Sequence, residues 1–480
     1  MALNSSGPIS LGGTVVGQSI AVENGGTGTS QISLNDTAVR GLAGVPTGTI
    51  VMPLNFWGKS NQPYWIANMA IISTDIAGSC KNASGNIYIA MSNTTGGPAS
   101  GQVIKLNNLG SVQWSTNIVN TTPTSRDMPL FGITLFSSGN IGIAGYYRTG
   151  NTLYHQFLGE LNTSAGTVIS SNTRRQGTAA STRTNCLISA SNGSVLTGGN
   201  TSGGSNTYTS IQNFSSVSGA RTWGQRASSS GGLIYGIAQA SNGNVIGVGS
   251  YTGTPAKSQI FSLTSAGAPV FQIASNTTVA HVYGCVVCVG TDSYQAGYAT
   301  NGTVIQAYIS KYGVSGNFVW GRTLYQSPNR AGIPRMDKDS LGNLYIAWPL
   351  TNGTKYYATL IAKYNTSGVL QWQREFNRSG SSLGISVIND NTFVLSCNGN
   401  TANGLYLDGM WFCQLPTDGS KTGTYTVAGY SVTYSASSWT ETSYSVATTT
   451  ITNTAAGADI QASGPYTQSS YGVSTTVSNI

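Results

Sequence analysis

"SGNIYIA", Ser84–Ala90, places a Gly-Asn pair at the head of a short run in which apolar residues alternate. Glycine accepts the positive φ that a tight hairpin turn demands, and a period of two marks a strand with one buried face. The same device returns as "SGNIGIA" at Gly139, "NGSVLTG" at Gly193, "NGNVIGV" at Gly243 and "LGNLYIA" at Gly342. Degenerate forms stand at "TDSYQAG" around Asp292 and "NDNTFVL" around Asp390, so that seven turns recur at intervals of 48 to 54 residues. Each reads as a two-residue hairpin that feeds a strand.

A second element keeps step with the first. "GSVQW" ends in Trp114, "GARTW" in Trp223, "GNFVW" in Trp320 and "GVLQW" in Trp372, while "GAPVF" puts Phe271 in the aromatic place and "GTVIS" puts Ser170 there. Each unit therefore carries four short strands, A and B around the Gly-Asn turn, then C and D. Four strands at this period, repeated seven times, predict an all-β fold with a seven-bladed β-propeller, in which closure removes long open edges. Closure requires one blade to combine both ends of the repeat region. Trp65 in "PYWIANMA" is an orphan D strand, and the last unit reaches "MWFCQLP" and then has Gly423 where a tryptophan is due. The strand around Trp65 is expected to complete the blade of residues 383–416, with Trp65, Trp114, Trp223, Phe271, Trp320 and Trp372 as blade-packing residues.

Composition agrees with a folded β-rich chain. Only 8% of residues are charged, against about 25% in ordinary domains. A 39% hydrophobic share with 25 Tyr and 9 Trp still offers large surfaces to bury. The net charge of +8 is spread thinly, and its densest spot, Arg174, Arg175 and Arg183, reads as a solvated loop, or else as a contact for phosphate or an acidic glycan. Nucleic-acid binding is not expected, because such proteins concentrate charge on one face. The start of the chain shows no secretion signal and no run is long enough to span a membrane, which predicts synthesis and assembly in a cytoplasm without membrane insertion. The six Cys are then expected as buried thiols and the Asn-x-Ser/Thr triplets as compositional noise.

Three regions result: an anchoring segment over 1–60, the propeller over 61–416 and a β-rich extension over 417–480. In the first, "SLNDTAVRGLAG" (Ser33–Gly44) predicts a short amphipathic helix capped by Asn35 or Asp36, with Leu34, Ala38, Val39 and Leu42 on one face. A helix so short requires a partner surface. The alternating Thr, Ser, Tyr and Val of 417–480 predict strands that form a small domain or an arm exchanged with a neighbouring chain. Open edges there would favour a homo-oligomer, a trimer being suited to a fibre.

Two resemblances add to this reading. Over 63–416 the repeats resemble bacterial β-propeller repeats of the quinoprotein-like and SBBP-like kinds, which speaks to architecture. "ISLNDTAVRGLAGVPTGTIVMPLNFWGKS" (Ile32–Ser60) resembles the N-terminal segment of virion structural proteins from tailed bacteriophages, particularly those of cyanobacteria. That resemblance implies a virion component, a tail, neck or capsid appendage, assembled in the host cytoplasm. It would bind other virion proteins through a segment containing Leu34, Asn35, Asp36, Val39, Arg40, Leu42, Phe56 and Trp57. Host attachment, through glycans held by Tyr, Asn and Ser of the connecting loops, is the expected role. A ligand-free architectural part and a glycan-degrading enzyme are the alternatives.

Candidate chemistry is sparse. "GKS" (Gly58–Ser60) lacks the preceding glycine of a phosphate loop, since Pro53 stands there. Cys285-x-x-Cys288 has no second pair, and its thiols should point to opposite faces of a strand. "DKDSLGN" (Asp337–Asn343) has a calcium-loop look, yet Leu341 occupies its fifth position and the stretch coincides with a repeat turn. His155 and His281 are far apart. No catalytic residue, metal ligand or cofactor is expected.

Overall fold

The computed structural model describes residues 10–12, 19–24, 27, 32–43, 50 and 64–479. Within the last range it leaves out 71–74, 83, 94–99, 121–127, 150–152, 177–180, 204–205, 228–230, 252–254, 277–278, 302–303, 400, 403–404, 407–408, 451–452, 456–458, 463–465 and 471–475. Phe56, Trp57 and the Gly58–Ser60 motif lie outside the described residues.

Each repeat folds into an antiparallel sheet. Asp75–Lys81, Ile87–Asn93, Ser100–Leu106 and Val112–Asn120 supply strands A to D of the first. The next four sheets open on Leu130–Leu135, Ser181–Ser189, Leu233–Gln239 and His281–Val289. The last consists of Leu383–Asn389, Thr392–Asn398, Met410–Pro416 and then Trp65–Met69 from the other end of the chain, with Trp65 opposite Gln414 and Met69 opposite Met410. Each A strand packs beside that of the next sheet, and Leu383–Asn389 packs against Asp75–Lys81, so the ring is closed.

The expectation of like-shaped units of four strands is corrected in two respects. Six sheets share one plan, and that plan has five strands. The sheet between Arg330 and Phe376 differs: its inner strand is divided into Arg330–Ala331 and Arg335–Lys338, both paired with Leu344–Thr351, and it carries two additional strands from the C-terminal region. Gly332, Ile333 and Pro334 separate the two pieces, and Pro334 brings no N–H to the ladder there.

The additional strands come from the segment expected to form a domain or an exchanged arm. Within the described residues it forms no separate domain and pairs with the sheets of its own chain. Gly423–Val427 and Tyr430–Ala436 form a hairpin on Leu370–Phe376. Thr440–Ser443 then pairs with Phe318–Tyr325, Thr448–Thr450 with Pro269–Ser275 and Asn453–Ala455 with Arg221–Ala227. Asp459–Ala462 pairs with Val168–Gln176, Tyr466–Ser470 with Val112–Asn120 and finally Thr476–Asn479 with Trp65–Met69. The chain thus circles its own ring as a belt, in the reverse of the order in which the sheets were laid down, and covers every D-strand edge. Apolar residues fasten it: Val432 and Tyr434 sit in one buried cluster, Trp439 in a second with Trp348 and Leu360, and Val446 in a third.

The repeat glycines explain the seams between sheets. In the second sheet Phe136 N–H donates to the Asn140 carbonyl at 2.8 Å and Gly139 N–H to the Phe136 carbonyl at 2.9 Å, with Gly139 at φ 84°. This is a three-residue hairpin loop with a glycine bulge, not the expected two-residue turn. The two degenerate repeats are the shorter ones, Val289 pairing with Asp292 and Asn389 with Thr392.

The C–D turns use the same geometry, and each aromatic residue of one sheet lies against the turn glycine of the next. A Cβ on Gly110 would meet the Trp65 ring at 2.8 Å, one on Gly267 the Trp223 ring at 2.6 Å, and one on Gly316 the Phe271 ring at 2.7 Å. The indole N–H groups of Trp114, Trp320 and Trp372 donate to the carbonyls of Thr163, Thr366 and Thr417 at 3.2, 3.3 and 3.0 Å. These aromatics are latches between sheets, and Trp114, Trp223 and Trp372 are only half-buried. Where Ser170 stands in the aromatic place, Arg174 takes over: its guanidinium lies 4.0 Å over Phe214 and donates to the carbonyls of Val217 and Gly219.

In the N-terminal segment, Ile20–Glu23 and Thr37–Ala43 are helical. Asp36 directly precedes the second helix and its carboxylate accepts from Ser33 N–H at 2.7 Å, while Asn35 accepts from Arg40 at 3.3 Å. Val39, Leu42 and Ala43 are buried with Ile20, and Leu34 packs against them. Ala38, expected on that face, is exposed and Ala43 takes its place.

Candidate binding site at the mouth of the central channel

The A strands crowd around the axis, and glycine is what lets them approach. A Cβ on Gly236 would stand 2.8 Å from Cys285 Cα and one on Gly132 3.1 Å from the Leu187 nitrogen. The inner strands of the first five sheets also bulge, at Ala77, Phe131, Asn185, Tyr235 and Gly284. A bulge re-aims a side chain. These five residues line a narrow axial cavity of about 150 Å³, and the interrupted inner strand after Pro334 brings Arg335 to the same wall.

At the end where the A strands begin, the cavity opens into a wider mouth of about 340 Å³ that shares Ala77, Phe131, Asn185, Tyr235 and Arg335. Asp75, Arg183, Tyr146, Ser381 and Ser382 complete its polar and aromatic rim. Arg183 is held by stacking: its guanidinium lies 3.5 Å from the Tyr154 ring centre and 5.2 Å from that of Tyr146. Tyr146 in turn stacks on Phe131 at 5.5 Å and meets Tyr154 edge-on at 5.0 Å. Across the mouth, the Asp75 carboxylate accepts from the hydroxyls of Ser382 at 2.5 Å and Ser381 at 3.3 Å. Burial raises the Tyr235 hydroxyl above its ordinary value, so it is a neutral donor at physiological pH.

Sequence reading reached only one of these residues, Arg183, and placed it in a loop. It lies in strand Ser181–Ser189, and Arg174 in strand Val168–Gln176; Arg174 is buried in the seam described above, and the Arg175 side chain lies outside the described residues. The mouth has no mark in the sequence because most of its residues lie at or near the start of A strands about 50 residues apart and share no residue type.

The remaining candidates have structural partners. Asp339 accepts from the Asn343 N–H and side-chain amide at 2.7 and 2.8 Å and from Tyr345 at 3.1 Å, which fastens a turn. Asp337 accepts from Val387 N–H of the next sheet at 2.8 Å, and burial raises its carboxyl above the ordinary range. None of the six cysteines is in a disulfide, and burial pushes the thiols of Cys186, Cys285 and Cys288 up to about 12, so they stay protonated. His155 rests edge-on against Tyr147. His281 is buried among Tyr283, Tyr308 and the belt's Tyr444. Among the described residues, no three His, Cys, Asp or Glu stand close enough to hold a metal ion.

No protein-family model matches the chain, and no curated protein matches it. Among solved structures it is similar to the quinohemoprotein alcohol dehydrogenase of Comamonas testosteroni, at 9% identity and a TM-score of 0.42, covering 74% of this chain and 76% of that one. It is also similar to Drosophila Plexin A in complex with Semaphorin 1b, at 8% identity and a TM-score of 0.39, covering 74% and 86%. An exo-β-1,3-galactanase of Phanerochaete chrysosporium is similar at 11% identity and a TM-score of 0.31, covering 78% and 98%. The chain is an all-β protein whose sheets form a β-propeller, a conclusion its own strand order carries.

Proposed function

We propose that this chain is a structural component of a bacteriophage particle, an appendage that docks through its N-terminal segment and presents a seven-bladed propeller for attachment to a host surface. The blade number counts the enlarged sheet of Arg330–Phe376 as one blade beside the six five-stranded sheets. The observation that carries the docking role is the separate small core of Ile20, Val39, Leu42 and Ala43, which contains no propeller residue among the described residues and whose last three members lie within the phage-like stretch Ile32–Ser60. The belt supports an external position, because it covers the D-strand edges that would otherwise recruit other chains. Attachment is supported by the concave mouth, in which Asp75 is the single carboxylate among the described lining residues.

The test is incorporation of a full-length chain carrying Val39→Asp and Leu42→Asp. The variant should be lost from assembled particles while its propeller melts as the wild type does. Incorporation at wild-type copy number would overturn the docking assignment.

A further inference from the structure

We infer that the channel mouth binds a carboxylated sugar, a uronate-type unit of a host-surface polysaccharide, with Arg335 and Arg183 as the groups that recognise its charge. The inference deepens the attachment reading by naming the ligand class, and it is tested on the purified protein, independently of incorporation into particles.

Charge is the first argument. Among the described residues the mouth brings together two guanidinium groups and one carboxylate, and that carboxylate is already engaged by Ser381 and Ser382. Arg183 has the rings of Tyr154 and Tyr146 as its partners, and Arg335 donates to the Pro334 carbonyl at 3.3 Å. The ion pairs among the described residues, Lys311 with Asp292 and Arg322 with Glu441, lie elsewhere. A cation on the wall of a narrow concavity is short of the hydration that stabilises it in open water, and an incoming anion restores what is missing. The wall positions at the bulges of the five preceding sheets carry no charge, so Arg335 is the one charged residue among the described lining residues of the axial cavity.

Shape and hydrogen bonding narrow the ligand. The volume of about 340 Å³ falls at the low end of the range for small-molecule sites. Phe131, Tyr146 and Tyr235 put aromatic rings in the lining, the kind of surface against which the apolar face of a pyranose packs. Asn185, Ser381 and Ser382 add neutral groups suited to sugar hydroxyls. A guanidinium fork matches a carboxylate in two parallel hydrogen bonds, and stacking on Tyr154 fixes the orientation of the Arg183 fork beforehand. A nucleic acid would instead require a basic stripe along an open face.

The experiment is calorimetric titration of the intact protein with trigalacturonate, with the neutral galactose trimer and with sodium sulfate. Trigalacturonate should bind at least about tenfold more tightly than the neutral trimer, the increment expected for a charge-assisted hydrogen-bonded pair. Arg335→Gln and Arg183→Gln should each weaken it about tenfold or more without altering the melting temperature. Arg183→Gln lies at the rim and keeps the test sharp if the Arg335 variant folds poorly. Equal affinity for charged and neutral trimers, no binding of either, or sulfate binding as tightly as trigalacturonate would each overturn the proposal.

Discussion

The indole N–H of Trp65 donates to the Asn108 carbonyl at 2.9 Å, although 43 positions separate the two residues and they belong to different sheets. Trp65 is fully buried, and its ring lies directly beneath Gly110, whose φ is 79°. The contact therefore joins the last sheet to the first. Trp65→Ala should cost about 3 to 5 kcal/mol, the usual range for emptying a buried aromatic site. Gly110→Ala combines a steric overlap with an unfavourable backbone conformation and should cost more than about 1 kcal/mol. Urea unfolding of both variants checks this; wild-type stability in either would show that the seam is not a point of strength.

The belt covers one D-strand edge per sheet. A chain ending at Ala436 would keep the hairpin on the sixth sheet and expose the other six edges. Exposed edges pair with other chains, so this variant should melt at lower temperature and form large species in light scattering. Trp439→Ala is the milder probe, expected to loosen the belt where it enters the fifth sheet and to lower stability by about 3 to 5 kcal/mol. A monodisperse truncated chain that melts like the wild type would refute a stabilising role for the belt.

The hairpin that begins the belt turns through Ala428 and Gly429, at φ 52° and 82°. Two positive φ angles identify a type I′ turn, which favours Asn or Gly in the place Ala428 holds. Ala428→Gly should therefore raise stability by about 0.5 to 1 kcal/mol, read as a shift of the unfolding midpoint at unchanged slope.

His281 is fully buried; Ser258 contacts one ring nitrogen at 2.8 Å, and burial lowers its pKa to about 3. The folded value lies below the ordinary one near 6.5, so neutral His281 keeps its full contribution above pH 6.5 and loses it as the pH falls toward 3. The slope should approach about 1.4 kcal/mol per pH unit within that window. His281→Phe, which retains a ring among the tyrosines, should flatten the stability profile by one proton's worth. A profile identical to wild type would show that the imidazole is solvated.

The ring was legible in the sequence because its constraint is backbone conformation. Gly139 and Gly110 occupy turns that other residues enter only at a cost, and that requirement leaves a periodic mark. The destination of the C-terminal strands was not legible. Segments such as Thr448–Thr450 are short and exposed, and what selects their partners is the free edge of Pro269–Ser275, a property of the assembled sheet. Arg174 reads as part of a solvated loop for a related reason: it repairs the seam left by Ser170 from four positions further along, outside the motif. The residues at the channel mouth converge only once the ring closes.

Strand Trp65–Met69 lies between Met410–Pro416 on one side and Thr476–Asn479 on the other, so the beginning and the end of the described fold leave from a single sheet. Trp65 stands opposite Asn479, so a pulling force applied between those two ends would unzip one antiparallel pair of strands from that end, rung by rung. The other sheets would carry almost none of it, and a ligand seated on the axis would be spared distortion until that pair had parted.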